Sequence, residues 1–539
     1  MTSSGPARWA GDRAPRGDPD GIRAELGRLD EPCYVVRTPS GVAAVAGGSA
    51  GSAAGPEVLA MVPPLPPERL GSPEFGRAHG VRAAYMTGAM ANGIASEELV
   101  VALARAGYLS SFGAAGLLPD RIDTALTRFA QEIPGVPYAV NLIHSPSELQ
   151  MERATVALLL RHRVRAVEAS AFMALTPNIV EYRVAGLRRD RDGRVVADNR
   201  VLAKVSRPEV AEQFLRPPPD AMLNELVAAG RATGAQAALA RALPVADDVT
   251  AEADSGGHTD RRALTTLAPV LVRLRNRLRA ELGYDWLPRV GAAGGLGTPE
   301  AVAAAFALGV DYVVTGSVNQ ACLEAGASEA TKQLLARAGI ADVDMAPAAD
   351  MFELGVQLQV LKAGTLFPKR AQKLYQLYRG YDGIDDLPAA ERDRLEAQVF
   401  RRPLTAVWDD CVGFFERRDP AQLDRAVGNP KRRMALVFRW YLGMSSRWSN
   451  VGDPDRVLDY QVWCGPAMGA FNDWAAGSYL AAPANRRVAE VAHHLMQGAA
   501  YHVRTGQLQL AGVRLPASCV DYRPAPLTVT AAPQLARAR

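Results

Sequence analysis

Between about residue 84 and residue 318, short apolar runs alternate with stretches in which apolar positions recur every three or four residues. The runs suit strands of a covered sheet, and the longer period suits helices with one buried face. Strands are predicted at 84–90, 108–112, 138–143, 166–170, 201–205, 244–253, 290–293 and 312–315. Helices are predicted at 96–106, 122–132, 147–161, 177–184, 208–215, 264–281 and 299–308, with an extra one at 221–229. Residues 187–199, with Asp192-Gly193 at the turn, read as an inserted hairpin. Eight strand–helix units in about 235 residues fit an α/β protein of the (β/α)8 TIM-barrel type, which usually takes about 250 residues. An open doubly wound sheet is the rival, because periodicity alone does not demonstrate closure.

The flanks differ. Residues 1–80 are expected to form a polar leader with a small β segment, two strands at 33–38 and 42–45, followed by a Gly/Ala/Ser-rich loop at 46–56. After residue 318 the strand signal fades. Helical periods appear at 328–338, 350–363, 369–378, 389–400, 431–442 and 485–503. The chain therefore divides into a leader (1–80), a barrel (81–320), an α-helical appendage acting as cap or lid (321–515) and a flexible tail (516–539). A cap is reasonable because the mouth of a barrel must exclude water during chemistry.

Composition narrows the class. The chain has 539 residues, 48% of them apolar, and a net charge of +4. That charge is too small for its size to indicate nucleic acid, and no apolar run is long enough for a membrane span. The first forty residues show no secretory h-region. Cys33, Cys322, Cys411, Cys464 and Cys519 are scattered without CxxC spacing. They fit reduced thiols in a cytoplasmic protein better than a disulfide framework or a metal site. The near-neutral total conceals a positive segment, 401–450, with ten basic and five acidic residues. Only six of the 61 basic residues are lysines, and Lys204 is the only one in the first 331 residues.

In a (β/α)8 barrel the chemistry sits at the carboxyl ends of the strands. Those ends supply Gly88, Ala89 and Met90 after the first strand, Asn141 and His144 on and after the third, Glu168 on the fourth and Lys204 on the fifth. Gly256, Gly257 and His258 follow the sixth, Gly294 and Gly295 the seventh, Gly316 and Ser317 the eighth. Glycines after the last two strands let backbone N–H groups approach a phosphate beside a helix N-terminus. One phosphate pocket of this kind fits FMN lying across the mouth. Lys204 is placed to stabilise an anionic reduced ring. His144 and His258 are expected to converge on the mouth, with Glu168 orienting one of them or capping a loop.

The run from Met86-Thr87-Gly88-Ala89-Met90 to Ala95-Ser96 resembles PfaD-type proteins, as does Val140-Asn141-Leu142-Ile143-His144-Ser145-Pro146. So do Glu168-Ala169-Ser170-Ala171-Phe172, Gly291-Ala292-Ala293-Gly294-Gly295-Leu296-Gly297, Trp440-Tyr441-Leu442-Gly443-Met444-Ser445 and Asn472-Asp473-Trp474. The resemblance runs from about residue 30 to 510. These proteins are trans-acting enoyl reductases of polyunsaturated fatty acid and polyketide synthases, related to flavin-dependent enoyl reductases and nitronate monooxygenases. The resemblance implies FMN, NADPH as reductant, and a 2-enoyl chain tethered to an acyl carrier protein. It maps a Gly-Gly-His motif of the wider superfamily, used in flavin binding and proton delivery, onto Gly256, Gly257 and His258. Asp254-Ser255 stand where that motif usually has Glu-Ala. His258 is then the first choice of proton donor and His144 the second. The positive segment, Arg432 and Arg433 in particular, is expected to meet an acidic carrier protein. A homodimer is left open. The alternatives are a nitronate monooxygenase-type oxidase and a non-catalytic assembly subunit.

Overall fold

Closure of the sheet decides between barrel and open sheet. The computed structural model describes residues 7–52, 54–146 and 148–527. Its central strands are β1 (Tyr85–Thr87), β2 (Leu109–Phe112), β3 (Ala139–Ile143), β4 (Ala166–Ser170), β5 (Arg200–Val205), β6 (Asp248–Glu252), β7 (Arg289–Ala293) and β8 (Tyr312–Thr315). They follow one another in a parallel ring, and β8 closes on β1 with Val313 opposite Tyr85 and Thr315 opposite Thr87. β2, β4, β7 and β8 are buried along their whole length, as expected of parallel strands covered on both faces.

Around the ring lie α1 (Glu97–Arg105), α2 (Pro119–Glu132), α3 (Leu149–Arg161), α4 (Pro177–Ala185), α5 (Pro208–Leu215), α6 (Leu264–Leu282) and α7 (Pro299–Ala307). Proline opens α2, α4, α5 and α7, where its missing N–H costs no intrahelical bond. A buried carboxylate, Asp248 of β6, bonds both Arg289 (2.5 and 2.8 Å) and His79 (2.9 Å). Burial opposes its ionisation, but the Arg289 guanidinium, with the hydrogen bonds from His79 and Arg289, outweighs that and holds it well below the usual carboxylate range.

The leader is more ordered than its composition suggests. Five antiparallel strands, Arg8–Ala10, Cys33–Thr38, Gly41–Ala46, Ser49–Ser52 and Glu57–Val62, make one sheet. The expected loop at 46–56 thus contains an edge strand, Ser49–Ser52, paired with Arg8–Ala10. Its small residues carry no strand signal, and backbone pairing with a distant segment supplies what propensity does not.

Two corrections fall in the C-terminal region. It is not purely helical, because Val343–Pro347 and Gln357–Leu361 are strands, and the expected helix at 350–363 is absent. Gly355 adopts a left-handed conformation (φ 71°), which ends any helical turn, and Gln357–Leu361 then runs as a strand buried from Leu358 onward. These two strands and the short strand Gly257–His258 form a separate sheet beside the barrel mouth. The remainder is helical, with α8 (Leu404–Arg418), α9 (Pro430–Val451) and α10 (Val488–Leu510) the longest members. α8 carries Thr, Val, Trp, Gly and two Phe, all weak helix formers, and it escaped the pattern reading. The expected flexible tail is packed up to Pro524: Cys519 and Pro524 are buried, and Tyr522 bonds His494 at 2.8 Å. Residues 528–539 of that tail lie outside the described residues. Among the described residues, no helix is long and apolar enough to cross a membrane.

Candidate functional site

The carboxyl ends of the barrel strands open into a cavity of about 1280 Å³, bounded on the far side by α8, α9 and the loop at 461–467. Every predicted site residue lines it except Glu168 and His144. Gly88, Ala89 and Met90 form the wall after β1, with Asn141 of β3 beside them. Glu168 lies beneath this wall, where its Oε2 accepts the Ala89 N–H at 2.7 Å and fixes the loop. Asn141 is anchored in turn, its Nδ2 donating to Glu168 O (3.1 Å) and Ser170 Oγ (3.0 Å).

On the opposite side the chain turns at Gly294 and Gly295, both left-handed (φ 88° and 74°). A Cβ at Gly295 or Gly316 would meet nothing within 4 Å, so both positions leave an open cradle in the cavity wall. A group with a phosphate fits there, against bare backbone. Ser317 is engaged from above, its Oγ accepting the Gly465 N–H at 3.0 Å. Gly256 and Gly465 must both be glycine, since a Cβ on the first would lie 2.8 Å from Cys464 N and one on the second 2.8 Å from Gly256 N. That close approach joins the barrel to the loop above it.

Two ion pairs face the cavity at the strand ends of the barrel. Lys204 Nζ lies 3.2 Å from Glu252 Oε1. Burial works against its charge, but Glu252 and Glu168 more than compensate, and the ammonium is held above its ordinary pKa. His258 Nε2 lies 3.1 Å from Asp350 Oδ1. Burial again opposes the charge, and Asp350 reverses the balance, raising the imidazole pKa. The same pairing lowers the Asp350 carboxyl against the effect of its own burial.

His144 does not converge on the mouth with His258. Its Nδ1 is 2.8 Å from Glu152 Oε2, and its ring stacks on Phe172 with centroids 5.3 Å apart. Glu152 also accepts the Thr176 hydroxyl at the start of α4, so this carboxylate ties α3 to α4 and holds His144 against α3, outside the cavity lining. Arg432 is not an exposed docking cation either: it is largely buried against Glu353 and Gln422. Arg433 covers the Trp408 ring at 5.0 Å.

Glu252 and Asp350 are the site residues that sequence reasoning missed. Glu252 had a usable signal. Lys204 pairs with Thr250 across the β5–β6 ladder, so a residue two positions on shares that face. Asp350 had none, because it stands 92 residues from His258 in a segment read as helix.

Three family models match the chain: a fatty acid synthase subunit PfaD N-terminal domain over residues 9–64, nitronate monooxygenase over 82–369, and the inserted helical domain of [acyl-carrier-protein] S-malonyltransferase over 381–460. A polyunsaturated fatty acid synthase subunit of Thraustochytrium sp. is 46% identical over 500 residues, 90% of this chain and 33% of that protein. Polyketide biosynthesis protein PksE of Bacillus subtilis is 44% identical over 430 residues, 80% of this chain and 56% of that one. The chain thus spans less than two thirds of either relative. The enoyl reductase domain of MlnA, from the macrolactin biosynthesis cluster of Bacillus amyloliquefaciens, superposes with a TM-score of 0.78 at 36% identity. That match covers 82% of this chain and 99% of the domain.

Proposed function

Since the chain belongs to the nitronate monooxygenase family and carries a PfaD-type N-terminal domain, we propose that it is an FMN-dependent trans-acting enoyl reductase. Its substrate is a 2-enoyl thioester on an acyl carrier protein of a polyketide or polyunsaturated fatty acid synthase, and NADPH is the reductant. The observation that carries this reading is one cavity faced by open glycine loops, a charged Lys204–Glu252 pair and a His258–Asp350 pair.

The residues present fit a flavin mononucleotide. The backbone at Gly294, Gly295, Gly316 and Ser317 would hold its phosphate, and Gly88, Met90, Asn141 and Lys204 would border its ring. When bound, FMN supplies a hydride relay from NADPH to the β-carbon of the enoyl thioester.

The chain's own residues do the rest. Lys204, kept as an ammonium, stabilises negative charge near the reacting centre. His258 supplies the proton. Its Nε2–H stays with Asp350, and Nδ1–H donates to the α-carbon as hydride reaches the β-carbon. The double bond takes up one hydride and one proton, NADPH loses the hydride, and neutral His258 is reprotonated from solvent. α8 and α9 above the mouth limit the access of water.

The test is anaerobic turnover of a carrier-bound enoyl substrate with NADPH, with and without FMN; a colourless protein that cannot be reconstituted with FMN would sink the proposal. The family model over residues 82–369 favours nitronate oxidation as the second reading. Reoxidation of the reduced protein by an enoyl thioester but not by a nitronate, in stopped flow, separates the two.

A further inference from the structure

The cavity extends beyond the barrel mouth into the crevice between α8 and α9. Its walls there include Gly413, Phe414 and Arg417 on α8 and Trp440, Gly443 and Arg447 on α9. On α9 the three fall at intervals of three and four, a single stripe along the helix.

Two of the six are glycines inside helices, where glycine is the least favourable residue after proline. Close packing does not account for them. A Cβ at Gly443 would meet nothing within 4 Å, and one at Gly413 only Arg417 Nη1 at 3.9 Å. Gly498 of α10 shows what a packing glycine looks like, since a Cβ there would strike Pro299 Cγ at 2.6 Å. Gly413 and Gly443 instead leave space on facing helices, in the wall of the cavity that holds the chemistry.

The charges on this passage have a direction. Neighbouring arginines are engaged: Arg418 pairs with Glu148 (2.8 Å), Arg402 with Asp410 (2.8 Å) and Arg456 with Asp459 (3.2 Å). Arg417 and Arg447 are exposed and make no ion pair among the described residues. Asp409 is the further acidic group on this rim.

We infer that the crevice between α8 and α9, left open at Gly413 and Gly443 and flanked by Arg417 and Arg447, is the entry passage for a slender phosphate-bearing arm that brings the thioester to the barrel mouth. The inference rests on the reductase reading and adds to it the route and the recognised group. Phosphopantetheine has this form: a flexible chain with a phosphate at one end and the thioester at the other. The dinucleotide reductant also carries phosphate, and the experiment separates the two.

Binding of butyryl-phosphopantetheine, a saturated and unreactive thioester, is measured by calorimetry on the FMN-loaded protein, in parallel with NADPH. Gly443→Leu replaces a poor helix former with a good one, so thermal stability is expected to hold or rise. Affinity for the thioester is expected to fall at least tenfold more than affinity for NADPH. Arg417→Ser with Arg447→Ser is expected to weaken butyryl-phosphopantetheine several-fold and to leave the phosphate-free N-acetylcysteamine thioester unaffected. Unchanged thioester affinity in Gly443→Leu overturns the passage, as does a loss confined to NADPH, which would give the crevice to the reductant. Wild-type protein that binds the saturated thioester but reduces no enoyl thioester would defeat the reductase reading and leave the passage standing.

Discussion

The Lys204–Glu252 and His258–Asp350 pairs control how Lys204 and His258 titrate. An imidazole ordinarily loses its proton near pH 6.5. Asp350 holds that of His258 above this, so the imidazolium stabilises the fold fully below the ordinary value, and that contribution is lost as pH rises through the raised one. On the proposed role of His258, the alkaline limb of turnover follows the same titration. Asp350→Asn removes the anion, and the limb is expected to move to lower pH, together with the His258 resonance in an NMR titration. An unmoved limb would separate His258 from proton delivery. Lys204→Met removes a charged hydrogen-bonding group worth about 1.5–3 kcal/mol. FMN affinity, followed by flavin fluorescence, is expected to fall about tenfold or more. Lys204 was legible because lysine is so scarce in this chain. Asp350 was not, since a carboxylate that acts through tertiary pairing leaves no local spacing to read.

Among the elements, the eight barrel strands announced themselves because each is a local apolar run whose partners follow in sequence order. The strand Ser49–Ser52 and the sheet Gly257–His258, Gln357–Leu361, Val343–Pro347 were hidden, because short or small-residue strands depend on distant partners. α10 shows how such distant parts are joined. The Arg504 guanidinium donates to the carbonyls of Leu26, Arg28, Leu29, Glu31 and Pro63, at 2.8–3.1 Å, and so ties the N-terminal sheet to this helix. Arg504→Ala strips buried carbonyls of their donor, each worth about 1–3 kcal/mol unsatisfied. Early proteolysis within residues 7–62 and a clearly lower melting temperature are expected; a melt within a degree of wild type would refute the tie.

Across the molecule, much of the excess charge in 401–450 is already committed. Arg402, Arg418 and Arg432 are bound by Asp410, Glu148 and Glu353. Arg432→Glu sets two carboxylates together in a largely buried site, and breaking such a pair costs about 3–5 kcal/mol. The expected result is a general loss of stability, equal for carrier-bound and free substrates, not a selective docking defect. Arg418 also joins α8 to the barrel loop holding Glu148, a contact between parts 270 residues apart. Glu148→Gln is expected to loosen the roof, and oxygen consumption without enoyl substrate should then rise several-fold.

His258 sits on a two-residue strand that pairs with Gln359 and Leu358 of the outer sheet, not with any barrel strand. On the proposed roles, the barrel chooses the face on which hydride arrives, while a sheet from the C-terminal half chooses the face that receives the proton. The configurations of the two new C–H bonds are therefore set by separate parts of the chain. A chimera that exchanges only residues 343–361 would invert or scramble deuterium at the α-carbon in heavy water, while deuterium delivered to the β-carbon from deuterated NADPH would keep its handedness.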